Sequence, residues 1–158
     1  MMHQESRLLP QIPSWSAWHR DRGQTVGFVN GAFDLLHEGH RWLLQVARAN
    51  CDWLLVGVNS DASVKLRKGE SRPVQTAEAR LRALYDVCGI DAGLVFDAND
   101  PGEILQALKP DFYFLGSDYR GQSIPGAEFC GQVLFVERLP GISTTSIVNR
   151  NAGQLVAN

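Results

Sequence analysis

Short apolar runs alternate with longer segments of helical period from about residue 25 onwards. The runs are rich in Val and Phe and each is followed by a polar turn, which is typical of parallel strands covered on both faces. Strands are predicted over Val26–Asn30, Trp53–Asn59, Gly93–Phe96, Phe112–Leu115 and Val133–Val136. The pattern therefore predicts an α/β domain with five parallel strands.

The intervals between these strands contain three predicted helices, over about residues 40–49, 76–87 and 101–108. Apolar residues recur there at helical spacing. The second helix is predicted to turn Ala77, Leu81, Leu84 and Tyr85 inward. Because crossovers between parallel strands are right-handed, the most economical arrangement is a Rossmann-like, doubly wound sheet whose ligand site lies at the carboxyl ends of the strands.

The chain has 158 residues, of which 44% are hydrophobic, enough for one core and too few for two full catalytic domains. Residues 25–150 are predicted to form the domain and residues 151–158 a C-terminal tail. Residues 1–24 are predicted to be an N-terminal extension that packs a short helix on the domain, because Trp15 and Trp18 stand at helical spacing.

Charge and cysteine content indicate the cellular compartment of the protein and the partners to be expected. The net charge is −2, which argues against a protein that coats nucleic acid or an anionic membrane. The three cysteines form no CxxC pair, and no segment resembles a secretion signal or a membrane span. We therefore expect a cytoplasmic protein without nucleic-acid or membrane partners.

Two histidines three residues apart follow the first strand. His37 and His40 share one face where a helix is predicted to begin, and exposed amides at such an N-terminus favour an anion. Gly39 between them would let a phosphate approach the backbone, so the turn predicts a polyphosphate site. The pair could instead contain a histidine that satisfies a buried carbonyl, or belong to a zinc motif; HExxH, however, needs histidine where Arg41 stands.

The segment GAFDLLHEGH, residues 31–40, is similar to the G-x-F-D-x-x-H-x-G-H signature of the nucleotidyltransferase superfamily, which includes cytidylyltransferases and heptose-phosphate adenylyltransferases. Further segments resemble this family in the same order along the chain. They are NSD at 59–61, KGESRPV at 68–74, GSDY at 116–119, IPGAEF at 124–129 and GISTTSI at 141–147. Together the matches cover nearly the whole predicted domain.

The resemblance implies that an acceptor phosphate oxygen attacks the α-phosphorus of a nucleoside triphosphate and that pyrophosphate leaves. The catalytic residues would be His37, His40 and Lys68. The nucleotide-binding residues would be Asn30, Gly31, Ala32, Phe33, Gly39, His40, Gly116, Asp118, Arg138, Ser143, Thr144 and Thr145. The substrate-binding residues would be Asp34, Asn59, Asp61, Lys65 and Arg72. Mg²⁺ would accompany the triphosphate, bound mainly through phosphates and water, so no protein metal site is predicted.

Basic charge is concentrated between residues 65 and 82, which hold six basic and two acidic residues for a net charge of +4. Lys68 and Arg72 match the family loop and are the preferred phosphate ligands, whereas Lys65 and Arg80 are second candidates. Arg67 and Arg82 are interpreted as solvated surface.

Two further assignments have alternatives. The hydroxyl run at Ser143 and Thr144 is predicted to open a short helix that binds the β- and γ-phosphates with Arg138, although an N-cap would explain one of the hydroxyls. Asp34 could equally be a local turn or capping group. The family lysine before GGDY is Leu115 here and the second glycine is Ser117, so neither contact is carried over.

The resemblance favours an adenylyltransferase that joins ATP to a sugar 1-phosphate, D-glycero-β-D-manno-heptose 1-phosphate above all. A cytidylyltransferase that uses glycerol 3-phosphate is the alternative, since RLPGISTT also resembles its motif. A non-catalytic nucleotide-binding regulatory module is a hypothesis of another class. Family members suggest a homodimer. In the bifunctional members a sugar kinase is fused to this domain; 158 residues leave no room for it, so we expect nucleotidyl transfer alone.

Overall fold

The computed structural model describes residues 11–138, with the backbone of 146–149 and 154–156. The helices are α1 Ile12–Arg20, α2 Glu38–Ala49, α3 Asp61–Lys68, α4 Ala77–Cys88 and α5 Gly102–Leu108. The strands are β1 Val26–Gly31, β2 Trp53–Asn59, β3 Ala92–Phe96, β4 Phe112–Gly116, β5 Gln132–Val136, β6 Ser146–Asn149 and β7 Gln154–Val156. Short 3₁₀ helices span Ser117–Tyr119 and Ala127–Phe129.

The strands form one sheet in the order β3-β2-β1-β4-β5-β6-β7. The first five pair in parallel, which confirms the predicted α/β fold with a five-stranded parallel sheet. β6 and β7 extend the sheet by antiparallel pairing and were not predicted. The sequence predicted a short helix after the hydroxyl run, and this prediction is wrong for residues 146–149, which form β6 and pair with β5. Strand β7 lies in the segment that was predicted to be a C-terminal tail.

Helices cover both faces of the sheet. One core holds apolar side chains of α2 and α4, such as Leu44 and Leu84, and the other holds side chains of α5, such as Leu105. Tyr85 was predicted inward but is 42% exposed. Its hydroxyl oxygen accepts a hydrogen bond from the Gly93 N–H at 2.8 Å, so the ring stays at the helix edge with a polar tip.

The predicted helix of the N-terminal extension is α1, and it belongs to the second core. Ile12 is buried and Trp15 packs edge-on against Trp53 with ring centroids 5.2 Å apart. The Arg20 guanidinium donates to the Leu108 carbonyl at 2.7 Å, where α5 ends. Since cations favour a helix C-terminus, this contact helps to hold α1 in place.

Helix α3 was not predicted, although it carries several of the predicted site residues. The Ser60 hydroxyl caps it by accepting from the Ser63 N–H at 3.1 Å. Only Ser63 and Val64 of its residues are buried, so it has little apolar periodicity to detect. Its last residue is Lys68.

The connectivity reverses between β1 and β4. Strands β1, β2 and β3 progress toward one edge, and β4 then returns to the other side of β1. Such a switch point opens a crevice at the carboxyl ends of the strands. None of the helices in the described part of the chain is long and apolar enough to cross a bilayer.

Candidate active site

A cavity of about 850 Å³ opens at this switch point. Its walls come from the carboxyl ends of β1, β2, β4 and β5 and from the first turns of α2. The predicted site residues that line it are Asn30, Gly31, Ala32, Phe33, His37, Gly39, His40, Asn59, Lys68, Gly116, Asp118 and Arg138. Side chains from distant parts of the sequence therefore meet at the edge where the strand pattern predicts a ligand.

The two histidines form a reciprocal cap at the start of α2. His37 is the N-cap rather than part of the loop before a helix that begins at His40. Its Nδ1 accepts from the Gly39 N–H at 3.0 Å and from the His40 N–H at 3.4 Å. The His37 N–H in turn donates to His40 Nδ1 at 3.4 Å, and the rings stack with centroids 3.7 Å apart.

This cap determines where the imidazole protons lie. A nitrogen that accepts a hydrogen bond carries no proton, so Nδ1 of each neutral ring is bare and Nε2 holds the hydrogen. Within the described part of the chain, neither Nε2 has a hydrogen-bond partner, and both rings line the cavity. The turn thus offers two parallel N–H donors to a ligand.

Charge and burial keep His40 neutral. Burial, together with the neighbouring His37 ring and the Lys68 ammonium, lowers the pKa of His40 from 6.5 to about 4. Burial and the neighbouring Arg72 and Arg67 also lower the pKa of Lys68. No ion pair or hydrogen bond engages the Lys68 ammonium among the described residues. It is therefore a cation available to an anionic ligand beside the histidines.

The lowered pKa of His40 predicts an acid-labile fold in a defined window. Below the ordinary value of 6.5 the unfolded chain takes up a proton that the folded ring refuses until about pH 4. Acidification through this interval therefore reduces the free energy of unfolding. Nitrogen-15 NMR of the ring should give a midpoint near 4.

The same titration in concentrated urea provides the control, since the exposed ring should return to its ordinary value. A folded-state midpoint at the urea value would contradict the assignment of a neutral donor.

Gly39 is required by the histidine rather than by the ligand alone. A Cβ at this position would lie 2.9 Å from His37 Cε1 and 3.1 Å from His37 Nδ1. The sequence suggested only that glycine lets a phosphate reach the backbone, whereas the structure adds this contact with the His37 ring. Any side chain at position 39 would displace the His37 ring from its cap.

We expect Gly39→Ala to reduce kcat by about tenfold or more, because a displaced donor no longer meets charge that develops in the transition state. Alanine is a good helix former, so the unfolding free energy should change by less than about 1 kcal/mol. Steady-state kinetics and urea unfolding measure the two effects. Glu38→Ala, at the exposed neighbouring position, is the control, and equal activity of the two variants would contradict the role given to the ring.

The loop between β1 and α2 is held in an unusual backbone shape. Phe33 and Leu35 have positive φ values of 52° and 60°, which side chains other than glycine seldom adopt. Between them, the buried Asp34 carboxylate accepts from Arg72 Nε at 2.8 Å, and from the N–H groups of Val74 at 2.8 Å and Gln75 at 3.0 Å. The loop that carries His37 is thereby anchored to the 72–75 segment.

Asp34 therefore anchors a distant segment of the chain, which is not the local turn or capping role that the sequence offered as the alternative. Burial raises its pKa, but the hydrogen bonds from Val74, Gln75 and Arg72 outweigh burial and the pKa lies below its usual range. The carboxylate is thus ionised and fully engaged, and Asp34 does not line the cavity.

The other three predicted substrate residues outside the cavity share a smaller cleft of about 450 Å³. They are Asp61, Lys65 and Arg72. Lys65 pairs with Glu70 at 3.2 Å, and Asp61 pairs with Arg80 at 2.8 Å. The basic residues of segment 65–82 are therefore divided between the two cavities. Lys68 lines the main cavity, and so does Arg67, which the sequence had suggested was solvated surface. Lys65 and Arg72 line only the smaller cleft.

Arg80 has a larger structural part than the sequence indicated. None of the residue is exposed, and its guanidinium donates to the carbonyls of Ala32 at 2.5 Å and Gln75 at 3.0 Å. A third bond, at 2.8 Å, reaches the Asp61 carboxylate. Arg80 thus joins the end of β1, the 72–76 segment and the start of α3.

Two further residues position the cavity walls and have no distinctive signal in the sequence. The Tyr113 hydroxyl donates to Asn30 Oδ1 at 2.5 Å, which leaves the Asn30 amide N–H₂ as the group offered to the cavity. The Trp42 indole N–H donates to the Glu137 carbonyl at 3.2 Å and so links α2 to the segment after β5. Burial raises the pKa of Tyr113, so its hydroxyl keeps its proton.

The wall beyond β4 is closed by ion pairs. Arg138 grips the Asp118 carboxylate through Nε and Nη2 at 2.9–3.2 Å, and Arg120 pairs with Glu137. Leu115 and Ser117 line the cavity at the positions where the family has lysine and glycine. The predicted phosphate-binding residues Ser143, Thr144 and Thr145 lie outside the described residues.

The N–H donors and the Lys68 ammonium of the cavity suit the oxygens of a polyphosphate. Over residues 11–138, no three His, Cys, Asp or Glu side chains are grouped as a metal cage. Asp118 and Glu137 are engaged by arginines, and Asp100 Oδ1 accepts from the Gly102 N–H at 2.9 Å. Mg²⁺ commonly keeps several waters and takes its remaining ligands from substrate phosphates.

Comparison with known proteins agrees with this geometry. A family model described as cytidylyltransferase-like matches residues 28–150. "Bifunctional protein HldE" of Acidiphilium cryptum is 44% identical over 135 residues, covering 83% of this chain and 28% of that protein. Its namesake in Rhodopseudomonas palustris strain BisA53 is 43% identical over 147 residues, covering 90% and 29%. The chain thus spans less than a third of the length of these relatives.

A solved structure shares the fold. The lipopolysaccharide core biosynthesis protein of Thermoplasma volcanium GSS1 superposes with a TM-score of 0.55 and is 26% identical in sequence. The match covers 62% of this chain and 79% of that one.

Proposed function

Because the chain belongs to the cytidylyltransferase-like family of nucleotidyltransferases, we propose that it joins ATP to a sugar 1-phosphate, releasing pyrophosphate. D-glycero-β-D-manno-heptose 1-phosphate is the proposed acceptor and an ADP-sugar the product. The observation that carries this proposal is the stacked pair His37 and His40, which presents two Nε2–H donors in the cavity. Lys68, whose ammonium has no partner among the described residues, lines the same cavity.

The proposed reaction needs positioned donors rather than a nucleophile on the protein. A phosphate oxygen of the acceptor forms a bond to the α-phosphorus, and the bond from that phosphorus to the bridging oxygen of pyrophosphate breaks. Negative charge then grows on the bridging and equatorial oxygens. The histidine Nε2–H groups and the Lys68 ammonium stabilise that charge, and because the cap fixes the rings, little reorganisation is needed.

Each role is assigned to a group that has no hydrogen-bond or ion-pair partner within residues 11–138. Lys68, at the end of α3, attracts the phosphates and neutralises part of their charge. The Asn30 amide N–H₂, fixed by Tyr113, is a further neutral donor at the end of β1. Mg²⁺ would supply additional charge neutralisation on the triphosphate and would be held mainly by its oxygens and by water.

The identity of the two substrates rests on the sequence. The 68–74 segment resembles the loop of heptose-phosphate adenylyltransferases, and the solved neighbour from Thermoplasma volcanium is named a lipopolysaccharide core biosynthesis protein. We further propose that the protein acts in the cytoplasm as a homodimer. Its three cysteines are free in the structure, which suits a reducing compartment, and sedimentation velocity would test the dimer.

The function is tested by pyrophosphate release. Purified protein is incubated with Mg²⁺ and either ATP or CTP, each with D-glycero-β-D-manno-heptose 1-phosphate or glycerol 3-phosphate. We expect release with ATP and the heptose phosphate, and mass spectrometry should identify the ADP-sugar.

The remaining combinations separate the alternatives. Release only with CTP and glycerol 3-phosphate would replace the proposal with the cytidylyltransferase. Calorimetric binding of nucleotide without release in any combination would leave the non-catalytic module as the function.

A further inference from the structure

One buried side-chain atom of the described residues has no hydrogen-bond partner, and it is Oδ1 of Asn59. Asn59 is the last residue of β2, lines the cavity and is 1% exposed. Burying an amide oxygen without a donor is unfavourable, and such exceptions call for an explanation. The position of this one, in the wall of the proposed active site, suggests a ligand.

The opposite side of the amide is used by the fold. Asn59 Nδ2 donates to the Ser63 hydroxyl at 3.3 Å, and the Ser63 N–H donates to the Ser60 hydroxyl at 3.1 Å. Both serines are buried. The amide nitrogen therefore faces the first turn of α3, and only the oxygen remains for another group.

The chemistry of that oxygen restricts its partner. A carbonyl oxygen only accepts hydrogen bonds, so it repels phosphate oxygens and attracts a donor. The sugars of both proposed substrates carry hydroxyl donors. We propose that Asn59 is a specificity-determining residue whose Oδ1 accepts a hydrogen bond from a substrate hydroxyl, on the acceptor sugar or on the ribose; this rests on the proposed function.

The strand register places the contact near the reacting groups. Gly31 of β1 pairs with Val58, so Asn59 lies one residue beyond that pair, on the strand next to the one that leads into the histidine turn. Neighbouring strands are about 4.8 Å apart. A hydroxyl that reaches Oδ1 would satisfy an oxygen that has no partner among the described residues. A ligand without that hydroxyl forgoes this hydrogen bond and binds more weakly.

Two variants separate recognition from structure. Asn59→Leu removes Oδ1 and the bond to Ser63, whereas Ser63→Ala removes that bond and keeps Oδ1. Initial rates are measured with ATP and D-glycero-β-D-manno-heptose 1-phosphate, each varied at saturating partner. We expect Asn59→Leu to raise one KM about three- to tenfold, the loss of one net hydrogen bond, and Ser63→Ala to change neither KM more than about twofold. Asn59→Ala serves if leucine prevents folding.

The substrate whose KM rises identifies the hydroxyl. A higher KM for the heptose phosphate assigns it to the acceptor. A higher KM for ATP assigns it to the ribose, and wild type should then lose the same factor with 2′-deoxy-ATP or 3′-deoxy-ATP, with no further loss in Asn59→Leu. Unchanged KM values in the Asn59 variants, or an equal rise in Ser63→Ala, would overturn the proposal.

Ligand-induced shifts in Tm keep this test apart from the proposed function. They are measured with ATP, CTP, the heptose phosphate and glycerol 3-phosphate. If only CTP and glycerol 3-phosphate raise the Tm of the wild type, the proposed substrates are wrong. A smaller rise with one of these two ligands in Asn59→Leu would still support the contact to Asn59. Equal shifts in wild type and variants with every ligand, or no shift at all, would refute it.

Discussion

His40→Ala is expected to lower kcat about 10²–10³-fold, as removal of one preorganised donor does in other enzymes, while ATP affinity measured by calorimetry stays within a few fold. The reason is that the His40 Nε2–H, held by the cap to His37, meets charge that develops only in the transition state. Rapid-quench measurements of a single turnover would assign the loss to the transfer step.

A second substitution separates the donor from the helix cap. In His40→Gln, the side-chain oxygen can still accept from the His37 N–H, as glutamine does in a capping box, but the ring Nε2–H is absent. We expect His40→Gln to retain the stability of wild type and the kinetic defect of His40→Ala. Recovery of kcat in His40→Gln would show that the imidazole ring itself is not required, and a rise in the KM for ATP at unchanged kcat would make His40 a ground-state ligand.

Arg80→Met should have the largest effect on stability. The change leaves two carbonyls, of Ala32 and Gln75, without their donor. Both bonds are partly buried. Since a carbonyl that loses its donor there costs about 1 kcal/mol or more, we expect a loss of roughly 2 kcal/mol. The half-exposed Asp61 carboxylate adds little because water solvates it. Urea unfolding measures the loss as a lower midpoint at unchanged m-value.

Arg82→Met is the matched control, because Arg82 lies two residues further along α4 and is exposed. We expect it to change the unfolding free energy by less than about 0.5 kcal/mol. Similar losses in the two variants would mean that charge on α4, and not the buried bonds of Arg80, stabilises the fold. Arg80→Met should also lower kcat, since Ala32 lies in the loop that leads to His37.

The parts of the fold that sequence predicted well are those set by local pattern. Continuous apolar runs predicted all five parallel strands to within one residue at each end, because a strand covered on both faces must be apolar throughout. Helix α3 was not predicted because most of its side chains are exposed and polar. Strand β6 was not predicted because the hydroxyl run that precedes it is equally compatible with a helix cap.

The site residues that the sequence predicted well are likewise those whose contacts are local. His37, Gly39 and His40 were found because their contacts run two or three residues along the chain, so the signature itself carries the geometry. Arg72 was chosen from its motif, but the structure pairs it with Asp34, 38 residues earlier. No composition or spacing indicates such a partner.

By itself, therefore, the sequence determined the parallel sheet, the edge of the sheet at which the cavity lies and the two-histidine turn. Their causes are apolar periodicity and hydrogen bonds between near neighbours. Tertiary structure alone decided which charges remain available. It buries Arg80 against Ala32, 48 residues away, and fixes Asn30 through Tyr113, 83 residues away. Among the described residues it leaves Lys68 and Asn59 Oδ1 without a partner in the cavity. Whether a polar group is engaged or free depends on which distant segment folding brings beside it.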